Sequence, residues 1–226
     1  MVLLAGSELF TGECLMVISV QEKSISWRNM LKCWVLVYIG NFIGSVAVAF
    51  LMAYSQQFSL FANNLALFTI KTAIAKTALT PESALILGVF CNFLVCIAVW
   101  ISFAGTTVSE KLAGLYLPIF LFVLSGFEHS VANMYYIPAG LFAKGNSVYA
   151  SVAMQHGIDL SNLTWGNFLL HNLLPVTIGN IIGGGILVGL IYWFVYVNKN
   201  CKKERDTNDN NQRRKENVTL FDQKIS

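Results

Sequence analysis

The sequence predicts an all-α integral membrane protein, built as an inverted repeat with two interrupted helices. Composition is the first ground. Of 226 residues, 55% are hydrophobic and 12% charged, with mean hydropathy +0.60, whereas a soluble domain carries about 25% charged residues. The second ground is a set of uncharged stretches of spanning length, about 20 residues each. The third is a heptad that occurs twice, as Ile39-Gly-Asn-Phe-Ile-Gly-Ser45 and as Ile178-Gly-Asn-Ile-Ile-Gly-Gly184.

The chain is organised around Leu124-Ser-Gly-Phe-Glu-His-Ser-Val-Ala-Asn-Met134. Leu112 to Phe127 and Ser130 to Ala143 carry no charge, so Glu128 and His129 stand at membrane depth. An ionisable group there costs about 2.5–3.5 kcal/mol on insertion scales and usually faces a cavity or a partner. Ser125-Gly126 is poor helix material and predicts a break in the span. Irregular backbone at that depth is tolerated where protein buries it or where it lines a water-filled path.

In chain order, Gly6-Ser-Glu-Leu-Phe-Thr-Gly-Glu13 interrupts an apolar start that resumes over Cys14 to Val20. With no basic start, long apolar core or cleavage site, this does not read as a signal peptide. Gln21 to Met30 is a polar loop, and Cys33 to Tyr54 a span. Ser55 to Asn64 is a second loop. Leu65 to Leu79, apolar but with Lys71 and Lys76, is a helix approaching the next span. Thr80-Pro-Glu82 is a helix start, opening a span over Ser83 to Phe103. A loop over Ala104 to Lys111 leads to the broken span. Lys144 to Ser161 is a polar connection, and Leu160 to Asn198 an uncharged last span with a long lead-in.

Residues 1–198 thus form a membrane domain, and 199–226, polar and aromatic-poor, a disordered tail. Eight of the 15 basic and five of the 12 acidic residues lie from Lys199 onward, leaving seven of each before it. A basic tail points to the cytoplasmic side of a cell membrane. Lys23, Arg28, Lys32 and Lys111 then fall on the same side, with Lys71, Lys76 and Lys144 on or near the outer one. The tail suggests anionic lipid contact and gives no argument for nucleic acid. The five cysteines, Cys14, Cys33, Cys91, Cys96 and Cys201, lack metal-ligand spacing, and Cys91 and Cys96 read as packing residues. Asn162-Leu-Thr and Asn217-Val-Thr match the glycosylation pattern only weakly.

The two heptads lie on spans of opposite direction, each following an interrupted segment, the signature of an inverted repeat with its site between the repeats. Gly40/Gly44, Gly179/Gly183 and Gly185/Gly189 have the spacing that lets helices approach closely. The second half has a span and a half-span before its break, the first almost nothing, so about 40–50 residues are expected to precede Met1 by symmetry.

Ala5-Gly-Ser-Glu-Leu-Phe-Thr-Gly12, the Leu124–Met134 stretch and Pro175-Val-Thr-Ile-Gly-Asn-Ile-Ile-Gly-Gly-Gly185 together resemble the formate/nitrite transporter family. Cys91-Asn-Phe-Leu-Val-Cys-Ile-Ala-Val-Trp100 is similar to its fourth-span motif. The likeness covers most of residues 1–198. It implies an aquaporin-like fold with the first span and half of the second missing, a homopentamer, and a pore in each protomer. By resemblance, His129 is the central histidine, with Asn133 one turn on. Leu9, Phe10 and Thr11 form the mobile loop at the inner constriction, Thr11 hydrogen-bonding His129. Val95 and Phe122 narrow the path, Asn92 lines its inner side, and Lys76 and Glu128 are the paired charges near the break. No cofactor is implied. His156 and His171 are bystanders.

A small anion must shed water to pass apolar rings, which is prohibitive unless its charge is compensated or removed. Helix N-termini at the breaks attract anions. His129, with an ordinary pKa of about 6.5, can exchange a proton near neutrality. Either the anion is protonated or paired there and crosses as a neutral acid, or a neutral ring only donates a hydrogen bond. Formate is the first substrate expected, then nitrite, hydrosulfide, acetate or lactate. A membrane-embedded enzyme using Glu128 and His129 lacks a nucleophile–base set, a metal cluster and a phosphate loop. A truncated, non-conducting subunit is the remaining alternative.

Overall fold

Two half-helices enter breaks that carry the same backbone feature. Helix α1 (Val2–Ala5) ends at Gly6, and α2 (Phe10–Glu13) resumes after a non-helical link, followed by α3 (Met16–Gln21). Helix α7 (Val108–Leu124) ends before Gly126, and α8 (Ser130–Gly145) resumes after His129. Gly6 and Gly126 have φ of +72° and +67°, a left-handed conformation that glycine adopts without a Cβ clash. This is a computed structural model describing residues 2–198, and all regular structure among them is helical. The tail expected over 199–226 lies outside the described residues.

The remaining elements start where local chemistry tells them to. Helix α4 (Trp27–Tyr54) is capped by Ser26, whose hydroxyl accepts the Asn29 N–H. Helix α6 (Pro81–Ala104) has Thr80 as its cap and Pro in its first turn, where a missing N–H costs nothing. Helix α7 opens on a reciprocal capping box between Thr107 and Glu110. Because that box fixes the start at Val108, the expected loop over 104–111 is shorter than its composition suggests. Three helices, Trp27–Tyr54, Pro81–Ala104 and Asn167–Val197, are long and apolar enough to cross a membrane.

Helix α5 (Asn64–Thr77) turns Ala66, Leu67, Ile70 and Ala73 into a core shared with Met134 and Ile137 of α8. The connection after Lys144 is not irregular throughout. It contains α9 (Ser147–Gln155), capped by Asn146 and buried through Tyr149 and Ala153, a one-sided pattern too short for a periodicity reading to resolve. Lys144 pins the following strand of loop, donating to the carbonyls of Leu160 and Leu163 at 2.8 and 2.9 Å.

By internal contacts the chain divides into Met1–Gly189 and Leu190–Ser226. Within the first, α10 (Leu174–Ile181) follows a π-helical turn at Asn167–Leu173, and a second such turn begins at Ile182. Such turns are rare and recur at functional sites. In the second, the described residues 190–198 are helical. Helix α10 and the turn after it pack closely on α6: a Cβ on Gly179 would overlap the Leu85 carbonyl, and one on Gly183 the Val89 carbonyl. The corresponding glycines of the first heptad, Gly40 and Gly44, have nothing within 4 Å. Close approach is therefore realised within this chain by the second heptad alone.

Candidate pore site

The repeated heptads act at the breaks. Asn41 of the first accepts the Phe10 N–H on Oδ1 at 3.0 Å and donates from Nδ2 to the Glu8 carbonyl at 3.1 Å. Asn180 of the second accepts the Ser130 N–H at 2.9 Å and donates to the Glu128 carbonyl at 3.1 Å. Each asparagine spans a residue at the mouth of a resumed helix, Leu9 in one half and His129 in the other. Asn180 also donates to the Gly88 carbonyl at 2.8 Å, tying the second break to α6.

The two breaks meet through one side-chain contact. Thr11 Oγ1 lies 3.0 Å from His129 Nε2, and both residues are buried. The ring's other nitrogen, Nδ1, accepts the Ala132 N–H at 3.1 Å and caps α8. A backbone N–H can only donate, so Nδ1 carries no proton in this arrangement. In the neutral ring the proton therefore sits on Nε2 and is donated to Thr11. The Thr11 hydroxyl, having accepted there, keeps its own O–H to donate elsewhere. Phe122 lies against the imidazole, ring centroids 5.8 Å apart and planes at 28°.

Beside the histidine, Glu128 is fully coordinated. Lys76 Nζ donates to Oε1 at 2.7 Å, while Asn133 and Asn172 donate to Oε2 at 2.6 and 3.2 Å. Asn133 also donates to Asn172 Oδ1 at 2.7 Å, and Asn172 to the Lys76 carbonyl at 2.9 Å. The side chains of Lys76 and Glu128 are 17% and 4% exposed. A buried charge so surrounded is stable where an unpaired one is not. The arrangement fixes the backbone on both sides of the break.

The expected residues divide into three groups. His129, Thr11 and Phe122 come together at the meeting of the breaks. Leu9 and Val95 line one cavity of about 210 Å³, together with Gly12, Val99, Leu115 and Lys111. Phe10, Asn92 and Asn133 are engaged elsewhere. Phe10 packs edge-on against Trp34 and Tyr38. Asn92 donates to the Asn180 carbonyl at 2.7 Å and accepts the Cys96 thiol at 3.7 Å, and Asn133 serves Glu128. Leu9, Phe10 and Thr11 do not form one loop, since Phe10 and Thr11 open α2. Cys14, Cys91 and Cys96 are free and buried, and His156 and His171 are exposed. Sequence reasoning missed Asn41, Asn180 and Asn172. The first two stood inside the repeated heptad, and Asn172 is an amide in an uncharged span.

Half-helices that meet at a buried polar midpoint, between helices of spanning length, are the architecture of a membrane transport protein. The formate/nitrite transporter family profile matches residues 1–194. The formate channel FocA of Escherichia coli is 40% identical over 200 residues, covering 86% of this chain and 69% of that protein. A probable formate transporter of Methanothermobacter thermautotrophicus is 36% identical over 212 residues, covering 87% and 71%. A solved pentameric formate channel with formate bound superposes with a TM-score of 0.78 at 38% identity, covering 87% of this chain and 78% of that one. A second solved structure, an FNT family ion channel, gives 0.72 at 32% identity, covering 85% and 71%. The chain belongs to the formate/nitrite transporter family.

Proposed function

We propose that this chain conducts small monovalent anions across a cell membrane, formate first among them. Residues 1–198 form the channel domain, 199–226 are a basic cytoplasmic tail, and the assembly is a homopentamer with one path per protomer. The relatives named as formate channels and the pentameric channel holding formate support the substrate class and the assembly. The observation that carries the mechanism is the Thr11–His129 contact joining the two breaks.

The Nδ1 acceptor role favours one of the two mechanisms over the other. A neutral imidazole that surrendered its Nε2 proton would become an imidazolate, which is inaccessible near neutral pH. Proton transfer thus requires the imidazolium, and placing a proton on Nδ1 breaks the bond from the Ala132 N–H. The neutral ring instead acts as a fixed donor: Nε2–H to Thr11, and the Thr11 O–H to the anion. The N-terminus of α8 adds favourable potential for negative charge at the same point. No nucleophile or group-transfer chemistry is invoked, and the function is conduction, not catalysis.

Purified protein in liposomes under an inward formate gradient tests this. Formate-dependent flux that falls at least tenfold in His129→Ala is expected, because without the Nε2–H nothing orients the Thr11 hydroxyl as a donor to the anion, and one hydrogen bond to a charge contributes about 1.5–3 kcal/mol. Absence of formate, nitrite and hydrosulfide flux in the unaltered protein would overturn the reading.

A further inference from the structure

We propose that Cys96 is a positioning residue, holding Thr11 against His129 through a thiol hydrogen bond to the Thr11 carbonyl. The assignment rests on the channel reading above and adds to it the means by which the two breaks are kept in register.

Helix α2 is four residues long, so its carbonyls must find partners outside it. The Leu15 N–H, which in a continuing helix would reach the Thr11 carbonyl, goes instead to Gly12 O at 3.2 Å. Cys96 of α6 takes that place. Its Sγ donates to the Thr11 carbonyl at 3.4 Å and lies 3.7 Å from Asn92 Oδ1. Asn92 in turn donates from Nδ2 to the Asn180 carbonyl at 2.7 Å, and Asn180 holds Glu128 and Ser130 on either side of His129. Thr11 and His129 are thus joined twice: directly, between Oγ1 and Nε2 at 3.0 Å, and from behind, through Cys96, Asn92 and Asn180.

Thr11, Asn92, Cys96 and Asn180 are all fully buried. A Cβ on Gly184 would collide with both the Asn92 amide and the Cys96 sulfur, so this pair fills the space that the glycine leaves. A buried cysteine is commonly a small apolar filler. Cys96 has, in addition, two oxygen acceptors within reach of its thiol. Removing the thiol strands the Thr11 carbonyl in a place closed to solvent, and a buried acceptor so stranded turns towards another donor. The Thr11 side chain shares an α-carbon with that carbonyl's peptide unit and turns with it, which draws Oγ1 away from the imidazole.

The test is a cycle of Cys96→Ala and Thr11→Val, singly and together, with Cys96→Ser for rescue. It is read by formate flux in liposomes and by nitrogen–proton NMR of the labelled His129 ring in detergent. Cys96→Ala should lower the maximal flux about threefold or more, the effect of one weak hydrogen bond. The half-saturating concentration should change little, because the Thr11 hydroxyl meets the ion in passage and not at entry. In the Thr11→Val background Cys96→Ala should lower flux no further, since a residue acting through Thr11 then has nothing to act on. Cys96→Ser, which keeps a donor, should restore most of the flux. The His129 Nε2–H signal should move in Cys96→Ala towards its position in Thr11→Val and return in Cys96→Ser. Equal losses from Cys96→Ala in both backgrounds, or a His129 signal unmoved by it, overturn the assignment and leave the channel reading intact. So does an equal movement in Cys91→Ala, another buried cysteine of α6, which would mark a general loosening of that helix. Unaltered protein that carries no anion removes the channel reading, and the His129 signal then still decides whether Cys96 positions Thr11.

Discussion

Asn41 and Asn180 make the same pair of hydrogen bonds in opposite halves of the chain. One bridges Glu8 O and Phe10 N–H, the other Glu128 O and Ser130 N–H. Each holds three residues of backbone where helix has been given up, and buried backbone groups must find such partners. The positions between them differ: Leu9 in the first half, His129 in the second. An inherited symmetry thus fixes the scaffold, while a single unmatched residue introduces the chemistry.

Asn180→Ala leaves the Ser130 N–H and two carbonyls without their partner in a fully buried place. The expected loss is about 1–3 kcal/mol for each buried group left unsatisfied, falling where water can replace the amide. Asn41→Ala should cost less, because its bond to Glu8 is exposed to solvent. Thermal unfolding in detergent measures both. Equal midpoints for the two variants would contradict the difference in burial.

Lys76 and Glu128 give a second prediction. Lys76→Met strands a carboxylate that is 4% exposed, and breaking a buried pair from one side costs about 3–5 kcal/mol. Glu128→Gln removes the charge but turns an amide N–H₂ towards either Lys76 or Asn133, so it also destabilises. The double variant Lys76→Met/Glu128→Gln should lose clearly less than the sum of the two. Chemical denaturation of all four proteins closes the cycle, and strict additivity would show that the two charges are not coupled.

Much of this was legible before any coordinates, for definable reasons. Uncharged runs with Thr80-Pro81 at one edge mark α6 within two residues, since apolar length and helix-start chemistry are local properties. Ser125-Gly126 beside Glu128-His129 marks the second break, since a charge at that depth must be housed. The partners of that charge were only half legible. Lys76 stands out as a cation near a span, but Asn172 is one amide among several, and its meeting with Glu128 depends on how α5, α8 and the turn at Asn167–Leu173 pack. Asn92 reads as a lining residue by resemblance, yet the tight α6–α10 contact leaves its amide facing the Asn180 carbonyl. The cavity at Lys111 could not be read, because its walls come from the chain's start, α6 and α7 at once.

Thr11 offers the most direct test of the contact between the breaks. Thr11→Val keeps the volume and removes the hydroxyl, leaving His129 Nε2–H without an acceptor, at a cost of about 1–3 kcal/mol. Formate flux should fall about tenfold or more if the hydroxyl donates to the anion, the size of a lost hydrogen bond to a charge. Thr11→Ser should retain most of it. Flux in Thr11→Val equal to that of the unaltered protein would remove the hydroxyl from the path, whatever the variant does to stability.

The two heptads finally predict opposite responses to one methyl group. At Gly183 a Cβ meets the Val89 carbonyl, a backbone atom that cannot rotate away. Gly183→Ala must push the turn after α10 off α6, and overpacking of this kind costs about 1–3 kcal/mol. The shift would also carry Asn180, three residues earlier, away from Ser130 and Glu128, so flux should drop with stability. At Gly44 a Cβ meets nothing within 4 Å in this chain. There Gly44→Ala removes backbone freedom from the unfolded chain and should be neutral or stabilising by up to about 1 kcal/mol. Unfolding midpoints of the two variants, measured side by side, should move in different directions or by clearly different amounts. A loss at Gly44 as large as that at Gly183 would mean that the first heptad is packed as closely in the assembled protein as the second is within one chain.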